Sequence, residues 1–472
     1  MRTINNATII KRKLLVNIAK ILFNKENPKL LDKIPINMIP KNQNNIRCCI
    51  YKDRAVLKYR MMAILGYNCE DEENELKPIS EYFNEINMDK SSDENILTII
   101  DVACSSCSPS HYKITENCKG CVARACINSC RKDAISIINS KAVINYDKCV
   151  KCGLCMQACP YNAIVYIPVP CEEACPVSAI SKDKNGKIKI DFKKCIFCGK
   201  CLLACPFGAI MEKSDFVKII NQIIQNKNIV ALIAPSIFGQ FKATPGQIIN
   251  AIQKLGFKKI YNVAEGAEIT TANEAEELKN VIQHNTFLTN SCCPSYVNLI
   301  EKHIPNLKPN LSKTKTPMQY TADIAKNDDK NCITVFIGPC IAKRIEGGKY
   351  NNIDYVMSFE ELGAMFIATG IDVNECEDIS IDINSQKYGV LFPISGGVTT
   401  AIKNKLNTKD LSYEIINGLD KKNISLIKIY GNGKKFNKHF LEVMSCKDGC
   451  MGGPTTISEP SIGKMFYNKL LK

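Results

Sequence analysis

Three separated cysteine motifs in the C-terminal half have the make-up of a metal site. They are Asn290-Ser291-Cys292-Cys293-Pro294, Gly338-Pro339-Cys340-Ile341-Ala342-Lys343 and Glu442-Val443-Met444-Ser445-Cys446-Lys447-Asp448-Gly449-Cys450. With Cys292 set aside they supply four thiols, the number one cubane iron–sulfur cluster takes. Upstream lie two runs of Cys-x2-Cys-x2-Cys-x3-Cys-Pro, Cys149–Pro160 and Cys195–Pro206. Iron bridged by sulfide prefers thiolate ligands, so these runs read as cluster loops. The chain thus carries an electron wire leading to a second metal centre of different build.

The 26 cysteines among 472 residues fall in metal-type spacings, which argues against a disulfide framework and for a reducing, anoxic cytosol. Hydrophobic residues at 45% and charged residues at 23% suit a globular chain of two to four domains. The net charge of +15 is either a solvated lysine-rich surface or a basic face that steers an acidic partner. Nucleic acid is a poor partner, because no basic run is interleaved with aromatics and Trp is absent. No apolar run has the length of a membrane span. The segment 9–23 is apolar but interrupted by Lys11, Arg12, Lys13 and Lys20, so it lacks a signal-peptide core. Its Leu14, Leu15, Ile18, Ile21 and Leu22 fall on one helical face, which predicts an amphipathic helix packed on the body. An organelle transit peptide is the alternative, since no acid precedes Glu26.

Residues 104–212 contain an internal repeat. Four stretches end alike, at Cys130-Arg-Lys-Asp-Ala-Ile, Cys159-Pro-Tyr-Asn-Ala-Ile, Cys175-Pro-Val-Ser-Ala-Ile and Cys205-Pro-Phe-Gly-Ala-Ile. Each reads as a ferredoxin half, and four halves make two ferredoxin-like units. In paired halves, three cysteines of one run join the fourth of the other. Cys149, Cys152 and Cys155 then pair with Cys130; Cys118, Cys121 and Cys126 with Cys159; and Cys195, Cys198 and Cys201 with Cys175. Cys171 and Cys205 remain two ligands short. Cys104 and Cys107 would complete them, making sixteen cysteines and four clusters. The alternatives for that pair are zinc, a lone thiol partner or no ligand at all.

Elements must position these motifs. Residues 1–100 read as helices broken at Pro28, Pro35 and Pro40, with Cys48, Cys49 and Cys69 as buried structural thiols. Residues 71–93 are acidic and polar and predict a surface linker. Beyond residue 215 strands and helices alternate. Strands are expected at 229–234, 259–263, 332–337 and 389–392, with short approaches at 286–288 and 441–444. Helices are expected from Thr244-Pro245 to Leu255, over 273–283, from the capping box Ser358-Phe-Glu-Glu361 to Ala368, and after Gly396-Gly397. The motifs follow strands, where α/β folds place their ligand sites.

At these residues the sequence resembles the iron-only ([FeFe]) hydrogenases, over roughly 215–460, in the branch with a compact C-terminus and a cysteine-rich N-terminal extension. The segment Arg47-Cys48-Cys49-Ile50-Tyr51-Lys52 resembles one in that branch, without a known role. The resemblance implies an α/β catalytic domain at 214–472, ferredoxin-like α+β domains at 101–165 and 166–213, and a helical extension at 1–100. It implies a hydrogen-forming cluster: a cubane held by Cys293, Cys340, Cys446 and Cys450, bridged through Cys450 to a diiron unit with CO, cyanide and amine dithiolate ligands. Lys343 and Ser236 match residues that hydrogen-bond the cyanides, and Met444 matches one near the bridging CO. Cys292 matches the residue that relays protons, with Glu274, Ser312 and Glu277 leading onward to solvent. Read locally, both glutamates would be helix surface charge. The implied activity interconverts H2 with protons and electrons, with an acidic ferredoxin or similar carrier as partner and maturation enzymes supplying the diiron unit.

The sequence departs from the family at Asn290 (usually Thr), Tyr296 (usually Trp), Gly338 (usually Met) and Met451-Gly452-Gly453-Pro454. Three rivals stand beside the enzyme. Hydrogenase-like iron–sulfur assembly factors keep the cubane ligands but typically lack the cysteine matching Cys292. A redox or H2 sensor would suit the altered pocket. A plain polyferredoxin would leave the C-terminal motifs unexplained.

Overall fold

A computed structural model of the chain describes residues 5–42, 46–88, 95–284, 286–380, 387–407, 411–432 and 436–470. Two parallel sheets make the frame of the C-terminal half. The first has four strands in the order Lys259–Asn262, Ile229–Ile233, Ile333–Gly338, Tyr355–Ser358. The second has three, in the order Leu288–Thr289, Phe440–Met444, Tyr413–Asn417. Ile229–Ile233 and Phe440–Met444 are buried along their whole length, as parallel strands covered on both faces must be. The strands expected at 229–234, 259–263, 332–337, 286–288 and 441–444 fall within one or two residues of these positions, while Tyr355–Ser358, Tyr413–Asn417 and the division into two sheets were not foreseen.

Several local expectations fail for identifiable reasons. The helix expected from Asn273 begins ten residues earlier and spans Val263–Gln283, with Asn262 as its cap. Gly266, Thr270 and Thr271 weaken the helical signal there, but they are buried, and a Cβ at Gly266 would meet the Pro317 carbonyl at 2.1 Å. Close helix packing outweighs propensity at this point. Gly389–Leu391 is a 3-10 turn, not a strand. A short apolar run bounded by glycine does not distinguish the two. Residues 71–93 are not simply a linker, since Ile79–Asn84 is a helix with Ile79 and Tyr82 buried and the Ser80 amide donating to Asp32 at 2.9 Å. Pro28 and Pro35 open the elements Pro28–Lys33 and Ile34–Met38 rather than break them. Cys48 is exposed and Cys49 half-buried, so only Cys69 is the buried thiol expected of all three.

The N-terminal segment is the helix Asn6–Phe23, with Leu14, Leu15, Ile18 and Leu22 buried and Ile21 half-buried. It lies along the helix Phe359–Thr369. Lys11 pairs with both Glu212 and Glu360, and Arg12 Nε reaches Glu360 at 2.9 Å. Burial alone would depress the Lys11 ammonium, but the two carboxylates raise it. No helix among the described residues is long and apolar enough to cross a membrane.

Between these parts lie the cysteine-rich units. The first contains the antiparallel pairs His111–Ile114 with Ile164–Ile167 and Ile135–Ile138 with Lys141–Ile144. The second contains the pair Ile180–Lys182 with Ile188–Ile190, and its last strand, Ile210–Glu212, pairs with Leu97–Ile99. That pairing draws Cys104 to the second unit. Each repeat ends in one turn: the amides of Ala134, Ala163, Ala179 and Ala209 donate to the sulfurs of Cys130, Cys159, Cys175 and Cys205 at 3.2–3.4 Å. The residue before each alanine, Asp133, Asn162, Ser178 or Gly208, has φ between 48° and 57°. Small polar residues or glycine suit that left-handed position, which explains the repeat's spelling.

Candidate metal centre and proton path

Loops leaving the carboxyl ends of four strands surround one cavity of about 100 Å3. Ile229–Ile233 delivers Ser236, Leu288–Thr289 delivers Cys292 and Cys293, Ile333–Gly338 delivers Cys340, and Phe440–Met444 delivers Cys446 and Cys450. Lys343 and Met444 border the same space. All the cysteines are free. Burial pushes the Cys340 thiol up to about 12, with Cys293 and Cys450 adding to it. It raises Cys450 to about 11, and it lifts Cys446 well above its ordinary value, helped by Cys340, Cys293 and Cys450. Four thiols that repel one another's ionisation converge on one volume. Ligation by iron would relieve that repulsion and release protons.

The donor set fits a cluster with polar ligands. Among the described residues no three His, Cys, Asp or Glu side chains close on a single ion, whereas these four thiols stand around a space. The wall is otherwise largely apolar, yet the hydroxyls of Ser236 and Ser445 are buried on it without a hydrogen-bond partner. Such orphaned groups are costly unless a ligand meets them. Lys343 Nζ is held by Glu346 at 2.7 Å, and Thr316 donates to the other carboxylate oxygen of Glu346. Glu346 escaped sequence reasoning, although its place three residues after Lys343 on a helix was a usable signal.

Glu274 is fully buried, and burial, with Glu277 adding to it, raises its carboxyl to about 8. Neither carboxyl oxygen has a partner at ordinary hydrogen-bond geometry, though the Ser312 hydroxyl and the Ser291 backbone lie near enough to favour its charge. Burial likewise lifts Cys292 well above its ordinary value, and Glu274 acts in the same direction. Ser312 is buried with its amide on the Thr289 carbonyl at 2.8 Å. Half-buried Glu277 accepts the Lys313 amide through both oxygens at 3.2 Å. The structure thus brings Cys292, Glu274, Ser312 and Glu277 together between cavity and surface.

The departures from the family pattern have local compensation. A Cβ at Gly338 would meet the Phe336 ring at 2.5 Å, and that ring lines the cavity in its stead. Asn290 donates to Cys292 Sγ at 3.4 Å and exchanges two further bonds with the Val443 backbone, tying the first motif to the third. Tyr296 is buried with its hydroxyl 2.9 Å from Thr289 Oγ1. Side chains at Gly452 and Gly453 would strike the Lys447 and Pro339 carbonyls. Glu442 was not foreseen: its carboxylate accepts the Gly396 and Thr399 amides at 2.6 and 2.8 Å and so fixes the loop whose Pro393 carbonyl takes the Cys450 amide.

Several of the upstream cysteines lie near one another. Cys130, Cys149, Cys152 and Cys155 line one cavity of about 210 Å3. Burial raises the Cys126 thiol, and nearby Cys159 and Cys121 add to it; Cys118, Cys126 and Cys159 pack against the same small core. Burial raises Cys201 strongly, with Cys198, Cys195 and Cys175 adding to it. Burial lifts Cys171 to about 11 with Cys205 beside it, and Cys104 is buried in the same core with Cys107 packed against it.

The chain is similar to several known proteins. Residues 227–454 match the C-terminal domain of the iron-only hydrogenase large subunit, 142–165 a 4Fe-4S binding domain, and 170–209 a 4Fe-4S dicluster domain. Iron hydrogenase 1 of Clostridium pasteurianum is 28% identical over 79% of this chain and 76% of its own length. The periplasmic [Fe] hydrogenase large subunit of Nitratidesulfovibrio vulgaris is 26% identical over 44% of this chain and 62% of its own. A cytosolic Fe-S cluster assembly factor, NAR1 of Candida dubliniensis, is 30% identical over 21% of this chain and 18% of its own. A solved [FeFe]-hydrogenase from Chlamydomonas reinhardtii superposes with a TM-score of 0.40 at 18% identity, over 52% of this chain and 84% of that one. The chain is thus [FeFe]-hydrogenase-like, with an iron-only hydrogenase C-terminal domain over 227–454 preceded by 4Fe-4S binding domains.

Proposed function

We propose that the protein is a hydrogenase, interconverting H2 with two protons and two electrons. The observation that carries this reading is Cys292: a fifth thiol, beyond the four that suffice for a cubane, borders the cavity and faces the buried carboxyl of Glu274. A scaffold that only stored or passed on a cubane has no use for it. Cys293, Cys340, Cys446 and Cys450 would hold the cubane, and Cys450 would bridge to the diiron unit. When bound, that unit supplies the iron chemistry at which H2 is made or split. The chain's own part is to orient and to move protons. Lys343, braced by Glu346, presents a cation to anionic ligands, and Ser236 offers a hydroxyl. Cys292 passes a proton to or from Glu274, which, with its carboxyl near 8, can hold or release one around neutrality.

The wire cysteines would carry electrons to or from an acidic ferredoxin or similar carrier in an anoxic cytosol. Maturation enzymes would deliver the diiron unit. An assembly-factor role without turnover is the second reading, favoured by the matches to NAR1 proteins. Cys292 and Lys343 in the cavity weigh against it. Anaerobic maturation followed by infrared spectroscopy tests the two. Carbon monoxide and cyanide bands with H2 turnover are expected; loaded cubanes without those bands would sink the enzyme reading.

A further inference from the structure

Arg60, on the helix Ile50–Ile64, is only 3% exposed, yet no carboxylate among the described residues lies within ion-pair reach of it. Other deeply buried cations of the chain have one: Lys11 has Glu212 and Glu360, Arg344 has Glu361, and Lys343 has Glu346. Arg60 Nη2 donates to the carbonyls of Phe207 and Gly208 at 3.2 and 3.3 Å, and its Nε is buried without a partner. Two neutral carbonyls do not balance a buried guanidinium.

The turn that Arg60 grips belongs to a cluster loop. It follows Cys205 directly, and its Gly208 and Ala209 amides bond the Cys205 carbonyl at 3.1 Å and the Cys205 sulfur at 3.4 Å. A Cβ at Gly208 would meet Arg60 Nη2 at 2.4 Å, so the guanidinium packs directly on this turn. The Ile100 amide bonds the Ala209 carbonyl at 2.7 Å, which holds the segment leading to Cys104 against the same turn. Arg47, from the unassigned Arg47-Cys48-Cys49 segment, also donates to the Phe207 carbonyl, at 3.1 Å, but Asp53 matches its charge at 3.0 Å. Arg60 alone brings unbalanced positive charge to Cys205. Burial depresses its pKa to about 10, with Arg47 acting the same way and Cys205 opposing, so it stays cationic at neutral pH.

We propose that Arg60 is the counter-cation of an iron–sulfur cluster held by Cys104, Cys107, Cys171 and Cys205, and that it sets that cluster's potential. This rests on the reading of those cysteines as one ligand set. A cubane with four thiolates is anionic, and one-electron reduction adds a further negative charge. A buried cation therefore favours the reduced form and raises the potential. On this view the helix Ile50–Ile64 of the N-terminal extension tunes the wire as well as bracing the fold.

The test uses the full chain, reconstituted anaerobically with iron and sulfide and titrated against potential by electron paramagnetic resonance. Arg60→Gln keeps an amide donor for the carbonyls and removes the charge; Arg60→Lys keeps the charge. One signal, the one lost in the Cys104→Ser/Cys107→Ser double variant, should fall in potential in Arg60→Gln. The expected loss is about tenfold in the reduced-to-oxidised ratio at the wild-type midpoint, or about 59 mV for one electron. Arg60→Lys should stay near wild type. A cluster missing from Arg60→Gln but present in Arg60→Lys would equally support the charge. An unmoved midpoint in Arg60→Gln, or loss of the cluster from both variants, would overturn the proposal. If the double cysteine variant keeps its full iron content and every signal, the ligand set itself is wrong.

Discussion

Cys198, from the second cysteine-rich unit, borders the same cavity as Cys446 of the third C-terminal motif and lies close enough to help raise its thiol. The last ligand set proposed for the wire therefore abuts the thiols of the C-terminal motifs. Gly199 and Pro454 make the contact. Gly199 has φ +75°, and a Cβ there would meet Pro454 at 2.8 Å and Ile341 at 3.1 Å. Gly199→Val should force the unit outward. Turnover with a protein carrier should drop by tenfold or more while the diiron infrared bands persist. Unchanged carrier-linked turnover would mean the contact is not what sets the electron step.

Iron analysis measures the wire as a whole. Five cubanes and a diiron unit give about 22 irons per chain (5 × 4 + 2). A value near 18 after full reconstitution would remove one cluster, and the Cys104→Ser/Cys107→Ser variant would show whether it is that one.

Cys292→Ala should lower turnover by about 10²–10⁴-fold while keeping the diiron infrared bands, because it removes a proton carrier and no iron ligand. Cys450→Ala should prevent stable assembly of the diiron unit. Full H2 production by the Cys292 variant would send protons by another route.

Glu274 links stability to pH. Its folded pKa near 8 lies above the ordinary 4.5, so between these values the folded state keeps a proton that the unfolded chain has lost. Stability from this group therefore falls as pH rises through that window, and the penalty is complete above 8. Glu274→Gln removes it, and the variant should gain on the order of 3–5 kcal/mol over wild type above pH 8, and less at lower pH. Anaerobic unfolding at pH 6.5 and 9 checks this; a gap that does not widen with pH would show the carboxyl is not held neutral.

Lys148 and Lys151 are exposed beside Cys149 and Cys152, and Cys152 is itself an exposed ligand candidate. Reversing either charge should raise KM for an acidic ferredoxin, and salt should weaken that turnover, since screening acts over about 8 Å at physiological strength. A small neutral dye should show neither effect. Lys200, which belongs by sequence to the same basic set, instead donates to the Leu419 carbonyl, inside the contact between wire and catalytic half. Its reversal should resemble Gly199→Val and leave ferredoxin KM alone.

Much of the site was legible because ligand chemistry is written in spacing. The Cys-x3-Ala turns, the strands ahead of each motif and the capping boxes at Thr244 and Ser358 all follow from local rules. What escaped depends on contacts between distant segments. Glu442 acts by bracing a loop distant in sequence, and nothing in its own neighbourhood marks it. The start of the helix at Val263 is set by Gly266 lying against another helix, which no local pattern reports. Lys200 reads as surface charge until Leu419 is placed beside it.

The pairing of Lys11 with Glu360 has a consequence for how the protein is made. The partners are 349 residues apart in the chain, so the first helix leaves the ribosome long before its dock exists. At ordinary rates of synthesis the wait is roughly 20–70 s. Until then Arg12 and the face of the helix that lies along Phe359–Thr369 lack their partners, although Lys11 can meet Glu212 sooner. The helix Asn6–Phe23 can therefore fasten the two halves together only after Phe359–Thr369 has been made.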